Sequence, residues 1–219
     1  IGVGDYAIVK DSYKGKEVSY YVEKPYRDMA RRIFGDTPEM MDFFSQKLGV
    51  DYPWPTYAQI TARDYMHGAM ENTTATLHDE NVQQNARQLT DGNFWETTIA
   101  HELFHQWFGN LVTCESWSNI TVNESLATYG EVMWTEHKHG KHEGQALCNQ
   151  YLREYLASTG DTSKTLVRYH YDDTEEVFDR VSYQKGAAIL NMLRNVVGEE
   201  AFYKSLGTYL KQNSFGTGN

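Results

Sequence analysis

The chain has only two cysteines in 219 residues, too few for a disulfide framework. Cys114 and Cys148 are therefore expected as two free, buried thiols. A single bridge between them stays open, and with it the compartment. No basic run exists, and the formal net charge is −10, which argues against nucleic acid as a partner because nothing would neutralise the phosphates. No apolar stretch reaches 18 residues, so no segment of the chain is expected to span a bilayer. The opening residues, IGVGDYAIVKDSYKG, offer neither a basic leader nor a long apolar stretch, and no signal peptide is expected there. Internal repeats, low-complexity tracts and Pro/Gly/Ser linkers are also lacking. One domain is expected over residues 21–219. Residues 1–20 are read as either the end of a preceding β-domain or the first strands.

What is present alternates early and turns helical later. YAIVKDSYKGKEVSYYVEK reads as two strands around a Lys-Gly turn. Helical pattern runs from Tyr26 to Phe34. A second helix is expected with Thr37 as N-cap, Pro38 at its first position and Gly49 past its end. TYAQITARDY and MENTTATLHD read as strands. Asp91 is expected to cap a helix from about Asn93 to Phe108. Further helices are expected over Val122–His139, Glu143–Ser158, Arg180–Val197 and Glu199–Gln212. Strands first and helices after imply an α+β fold, a small mixed sheet followed by a mainly helical part.

The stretch HELFHQWFGN, residues 101–110, carries the chemistry. Residues i and i+4 share a helix face, so His101 and His105 point the same way and two imidazoles can meet one ion. Its flanks, Leu103, Phe104, Trp107 and Phe108, demand burial, and two unpaired buried histidines are costly. A catalytic zinc takes a third protein ligand and keeps one open position. Glu124, in the first turn of the following helix, is the candidate. Glu102 is rotated about 100° from His101 on a helix, which suits a base beside the ion rather than a ligand. The same ligand set also suits non-haem iron. Glu102 discriminates, because hydrolysis needs a proton acceptor there and oxygen chemistry does not. HKHGKH, residues 137–142, mimics a second metal site, but cationic groups at a helix C-terminus suit the dipole without a metal.

HELFHQWFGNLVT followed by NESLATYGE resembles the gluzincin aminopeptidases, the family of aminopeptidase N and the leukotriene-hydrolase enzymes. GAMEN (Gly68 to Asn72) and YQKGA (Tyr183 to Ala187) match two further family signatures, in the family's order. The resemblance covers nearly the whole chain and implies a thermolysin-like catalytic domain holding one Zn2+. It implies His101, His105 and Glu124 as zinc ligands and Glu102 as general base and proton shuttle. It implies Glu71 as the carboxylate for the substrate's free α-amino group. Backbone groups of Gly68 and Ala69 would meet the extended peptide, and Tyr183 would meet the oxyanion. His67 would lie against the first substrate side chain. The partners implied are peptides with a free N-terminus, and the family's flanking domains, so the chain reads as a fragment of a larger protein.

Departures from the family pattern are local. SWSNITVNESLA has Asn119 where the family writes aspartate, and Ser125-Leu126 where it writes Gly-Phe. Asn119 is expected to accept a hydrogen bond from a ligand histidine, raising its basicity less than a carboxylate would. Two alternatives remain beside the aminopeptidase: a zinc hydrolase of a non-peptide substrate such as an epoxide, and a non-catalytic scaffold.

Overall fold

The computed structural model describes residues 2–158, 160 and 163–219. Tyr6–Tyr13 (β1) and Lys16–Glu23 (β2) form a hairpin with Tyr13 opposite Lys16. Lys14 and Gly15 both have positive φ, 46° and 79°, the turn geometry that follows strand twist. The chain then crosses over through a 3-10 turn, α1 (Ala30–Phe34) and α2 (Thr37–Leu48). That crossover allows β3 (Thr56–Ala62) to lie parallel to β2. β5 (Ala75–Asp79) adds parallel to β3, and β4 (Ala69–Met70) closes the far edge antiparallel to β5. The sheet order is β1-β2-β3-β5-β4.

α2 is sandwiched between this sheet and the helical half. Tyr13 of β1 donates to Ser45 Oγ of α2 at 3.3 Å, and Phe34 of α1 stacks on Tyr20 of β2 with ring centroids 5.5 Å apart. Phe44 meets Phe104 edge-on at 4.8 Å. Phe104 belongs to α3 (Glu96–Phe104), which packs on α4 (Glu124–His139). A Cβ at Gly130 of α4 would lie 2.7 Å from the Phe104 ring, so the two helices approach where no side chain intervenes. α5 (Lys141–Leu156), α6 (Gly186–Val197) and α7 (Glu199–Asn213) complete the helical part. The fold is α+β, a small mixed sheet followed by helices, as expected.

Several boundaries differ from expectation, each for a visible reason. Thr37 is the first residue of α2 rather than its cap. Its buried hydroxyl donates to the Phe34 carbonyl (2.6 Å) and accepts from Gln59 (2.7 Å), so tertiary bonds claim it. Asp91 does not cap α3. Asn93 punctuates instead, accepting the Trp95 N–H at 3.1 Å and donating to the Ile33 carbonyl at 2.7 Å. α3 ends at Phe104, short of Phe108, because the chain turns back and Asn110 N–H bonds the His105 carbonyl at 3.0 Å. MENTTATLHD is not one strand: the Asn72–Thr74 turn, with Thr74 at φ 65°, separates β4 from β5. Ahead of α4, residues Trp117–Val122 form a 3-10 turn. Ahead of α6, Val181–Lys185 form a π-helical turn. Val112–Cys114 (β6) and Gly216–Gly218 (β7) pair in parallel, and nothing in their pattern announced it.

Cys114 and Cys148 are free thiols, the first half-buried and the second buried. No helix among the described residues is long and apolar enough to cross a membrane.

Candidate active site

His101 lies in the last turn of α3, His105 at its C-terminal boundary and Glu124 at the first position of α4. The packing of α3 on α4 brings the three side chains together, all buried, with ligand atoms within 4.8 Å of one another. His101 Nε2 is 3.0 Å from His105 Nε2, and Glu124 Oε2 is 3.4 Å from each. Each Nδ1 faces an acceptor and so carries the ring proton. That of His101 donates to Glu131 Oε1 (2.8 Å) and that of His105 to the Phe108 carbonyl (2.9 Å). Both Nε2 atoms therefore present lone pairs toward the Glu124 carboxylate.

Three lone-pair donors at such separations repel unless a cation lies among them. In the metal-free chain a proton serves. Burial pulls both imidazoles down, but Glu124 and Glu131 hold His101 well above the ordinary range. Glu71 and Glu124 likewise hold His105 raised to about 9. Burial pushes the Glu124 carboxyl up, yet the two imidazoles outweigh it and keep it below the usual carboxylate range. Two imidazole nitrogens and one carboxylate oxygen are a donor set that suits zinc.

Glu102 borders this set. It is buried, and its Oε2 has no hydrogen-bond partner. Burial is the main reason its carboxyl is pushed up to about 7. Glu71 closes the other side, with Oε1 4.0 Å from His105 Nδ1 and one oxygen within 4.8 Å of Glu102 and His105 ligand atoms. The fit to a metal hydrolase rests on this orphaned carboxylate beside a converged donor set.

Glu71 follows edge strand β4. Gly68 has φ 72°, a conformation that side chains resist. The Gly68 carbonyl accepts the Asp79 N–H at 2.6 Å, so Gly68 faces β5. Ladder alternation then turns Ala69 toward the open edge. Its N–H bonds the His67 carbonyl at 2.8 Å. His67 itself is exposed and meets Tyr65 edge-on at 5.9 Å. Tyr183 sits in the π-helical turn, its ring stacked with His101 (centroids 6.0 Å, 14° between planes). Burial, then the neighbouring hydrogen-bonded Glu124 carboxylate, pushes its phenol upward. Lys185 points elsewhere, to the Lys164 carbonyl (2.6 Å) and over the Tyr155 ring.

Asn119 is not the partner of a histidine. It lies in the 3-10 turn before α4 and donates to Ser116 Oγ at 3.3 Å. The carboxylate behind His101 is Glu131, two turns along α4 from Glu124 and on the same face, and a seven-residue spacing could have found it. Tyr151 of α5 in turn donates to Glu131 Oε2 at 2.5 Å. Gln106 and Asn110 were also missed. Both donate to the Glu71 carbonyl, at 3.1 and 2.8 Å. The HKHGKH stretch gathers no metal cluster among the described residues. His137 stacks on Phe43 (4.2 Å), and His139 pairs with Glu96 (3.0 Å).

The family model described as the peptidase family M1 domain matches residues 33–219. The chain belongs to peptidase family M1. It is 36% identical to aminopeptidase N of Streptomyces lividans over 198 residues, 85% of this chain and 23% of that protein. It is 31% identical to aminopeptidase M1 of Arabidopsis thaliana over 230 residues, covering 98% and 25%. Glutamyl aminopeptidase of Sus scrofa is likewise 31% identical over 224 residues, covering 95% and 23%. The chain thus spans about a quarter of the length of the curated relatives it matches. Its fold is that of a mutant M1 zinc metallopeptidase from Deinococcus radiodurans solved with a Tyr-Ser-Ala substrate. The TM-score is 0.80 at 24% identity, over 99% of this chain and 46% of that one. Family M1 metallopeptidases are zinc-dependent, in accord with the donor set above.

Proposed function

We propose that this chain is the catalytic part of a zinc aminopeptidase that removes the N-terminal residue of peptides, within a longer protein whose flanking domains complete the substrate site. The observation that carries the reading is the carboxylate Glu71, set on the open-edge side of the sheet within reach of Glu102 and His105. A converged donor set with Glu102 makes a hydrolase. A further carboxylate beside that set makes one that selects a free ammonium group.

His101, His105 and Glu124 would hold one zinc ion. When bound, zinc polarises the scissile carbonyl and acidifies water for attack. The chain's own groups do the rest. A peptide lies along the open edge of β4, the last strand of the sheet, and is held there as an added strand would be. Glu71 anchors the α-ammonium and so fixes which bond reaches the centre. As water adds to the carbonyl carbon, Glu102 Oε2 takes its proton. The C–N bond then breaks, and the leaving amine carries that proton away. The Tyr183 hydroxyl donates to the carbonyl oxygen as its charge grows. A non-catalytic scaffold has no use for a buried carboxylate oxygen without a partner, which only costs stability.

The test uses aminoacyl-anilides, N-blocked anilides and an epoxide, with and without chelator. Chelator-sensitive turnover confined to free-amine substrates is expected; turnover of the epoxide alone would sink the reading. Glu102→Gln should retain zinc and lose about 10²–10⁴ in kcat. Near-parent activity with full zinc occupancy would remove the base role.

A further inference from the structure

Tyr183 stands on a turn that does not hold itself. A single π-helical turn widens the backbone spacing and is disfavoured alone. Here Lys185 N–H reaches back five residues to the Arg180 carbonyl at 2.9 Å. The start of the turn is tied by Asp179. Its Oδ1 accepts the backbone N–H of Val181 (3.0 Å) and of Ser182 (3.2 Å), two donors the turn leaves unsatisfied.

Asp179 is itself gripped. Arg168 Nη1 donates to Oδ2 (2.5 Å) and Nη2 to Oδ1 (3.0 Å), a two-pronged fork, and Lys164 Nζ adds a bond to Oδ2 (2.9 Å). The same Arg168 Nη2 donates to Ser182 Oγ (2.8 Å) and the Val177 carbonyl (3.0 Å). Arg168 lies in the segment between α5 and the turn, outside every recognisable motif.

The far side of the turn is tied to α4. Ser125 Oγ donates to the Ser182 carbonyl at 2.5 Å. Ser125 adjoins Glu124, so this bond ties the turn directly to the first turn of α4. A Cβ at Gly186 would lie 1.8 Å from Ser125 Oγ, which shows how closely the two elements are pressed. Ser182, next to Tyr183, thus carries a bond on its N–H, its hydroxyl and its carbonyl.

We propose that Arg168, acting through Asp179 and Ser182 and opposed by Ser125, is a positioning residue that holds the Tyr183 hydroxyl where the developing oxyanion forms. The proposal rests on the aminopeptidase reading. It adds a clamp whose loss frees the turn without touching the zinc ligands. A hydroxyl that strengthens only as charge develops affects kcat when misplaced, not ground-state binding.

The experiment places Arg168→Met, Arg168→Lys and Ser125→Ala in the protein with its flanking domains, each with Tyr183 present and in Tyr183→Phe. Turnover of an aminoacyl-anilide, zinc content and Tm are measured. Arg168→Met and Arg168→Lys should lower kcat by about tenfold or more, a fraction of the ~10²–10³ for losing an oxyanion donor. KM and zinc content should stay as in the parent. Ser125→Ala should act in the same direction and keeps the test alive if an Arg168 variant fails to fold. In Tyr183→Phe the same changes should cost less than about twofold, because the group they position is already gone. Equal losses in both backgrounds, or a KM that rises with the fall in kcat, overturn the proposal. If the zinc-loaded parent turns over no aminoacyl-anilide, the aminopeptidase reading fails instead. The clamp is then decided by the 19F resonance of 3-fluorotyrosine at position 183, assigned by its loss in Tyr183→Phe. A changed resonance in Arg168→Lys and Ser125→Ala supports the clamp, and an unchanged one overturns it.

Discussion

At the residue scale, the donor set sets its own pH dependence. Burial pulls His105 down, but Glu71 and Glu124 outweigh it and raise it to about 9 in the metal-free chain. An imidazole whose folded pKa exceeds its unfolded value of ~6.5 lends stability that is complete below ~6.5 and fades as pH rises through the folded value. The metal-free chain should therefore lose thermal stability between about pH 6.5 and 9. Zinc binding requires neutral histidines and releases their protons, so the loaded chain should lack that slope. Melting curves across this range, with zinc and with chelator, check it; parallel slopes in the two forms would contradict it.

At the element scale, α4 supplies both a ligand and what stands behind one. Glu124 opens the helix and Glu131, two turns on, accepts the Nδ1–H of His101. That bond orients the ring and raises its basicity, so Glu131→Gln should weaken zinc binding by about 10–100-fold, measured by competition with a chromophoric chelator. An unchanged affinity would show the contact to be incidental. The same helix depends on Gly130, where an added Cβ would sit 2.7 Å from Phe104. Gly130→Ala should cost about 1–3 kcal/mol by overpacking, seen as a lower denaturant midpoint. Its helix propensity works the other way, by under about 1 kcal/mol. A stabilised variant would mean that α3 and α4 separate more freely than their contact indicates.

At the scale of the whole molecule, the site spans the seam between the sheet and the helical half. α3 and α4 bring His101, His105, Glu102 and Glu124, whereas Glu71 comes from the sheet edge. Gln106 and Asn110 join the two by donating to the Glu71 carbonyl, and Gln106 Oε1 also accepts the Thr74 N–H at 3.0 Å. Gln106→Ala removes one of two bonds to this half-buried carbonyl and the acceptor of the Thr74 N–H, together worth about 1–3 kcal/mol. Gln106→Ala should therefore raise KM for free-amine substrates by about tenfold and leave N-blocked analogues unaffected. A drop in stability with an unaltered KM would assign Gln106 to folding alone.

The sequence by itself determined the elements and the chemistry that are local. The Lys14-Gly15 hairpin, the stop at Gly49 and the shared face of His101 and His105 follow from backbone geometry and helix period, which a few neighbouring residues define. Glu102 and Glu124 followed from helix geometry and the needs of a catalytic zinc, Glu71 and Tyr183 from the resemblance, and the fold brings all four to one place. What lay beyond local signals was decided by tertiary contacts. Thr37 left its expected capping role because Gln59 and Phe34 claim its hydroxyl. Asn119 was set aside and Glu131 chosen because only the docking of α3 on α4 fixes which carboxylate reaches His101 Nδ1. The β6–β7 pair joins residues about a hundred positions apart, a contact that costs chain entropy and leaves no periodic trace. Arg168 likewise belongs to no pattern. Its partners Asp179 and Ser182 are 11 and 14 residues away, and only the folded turn brings its guanidinium to both.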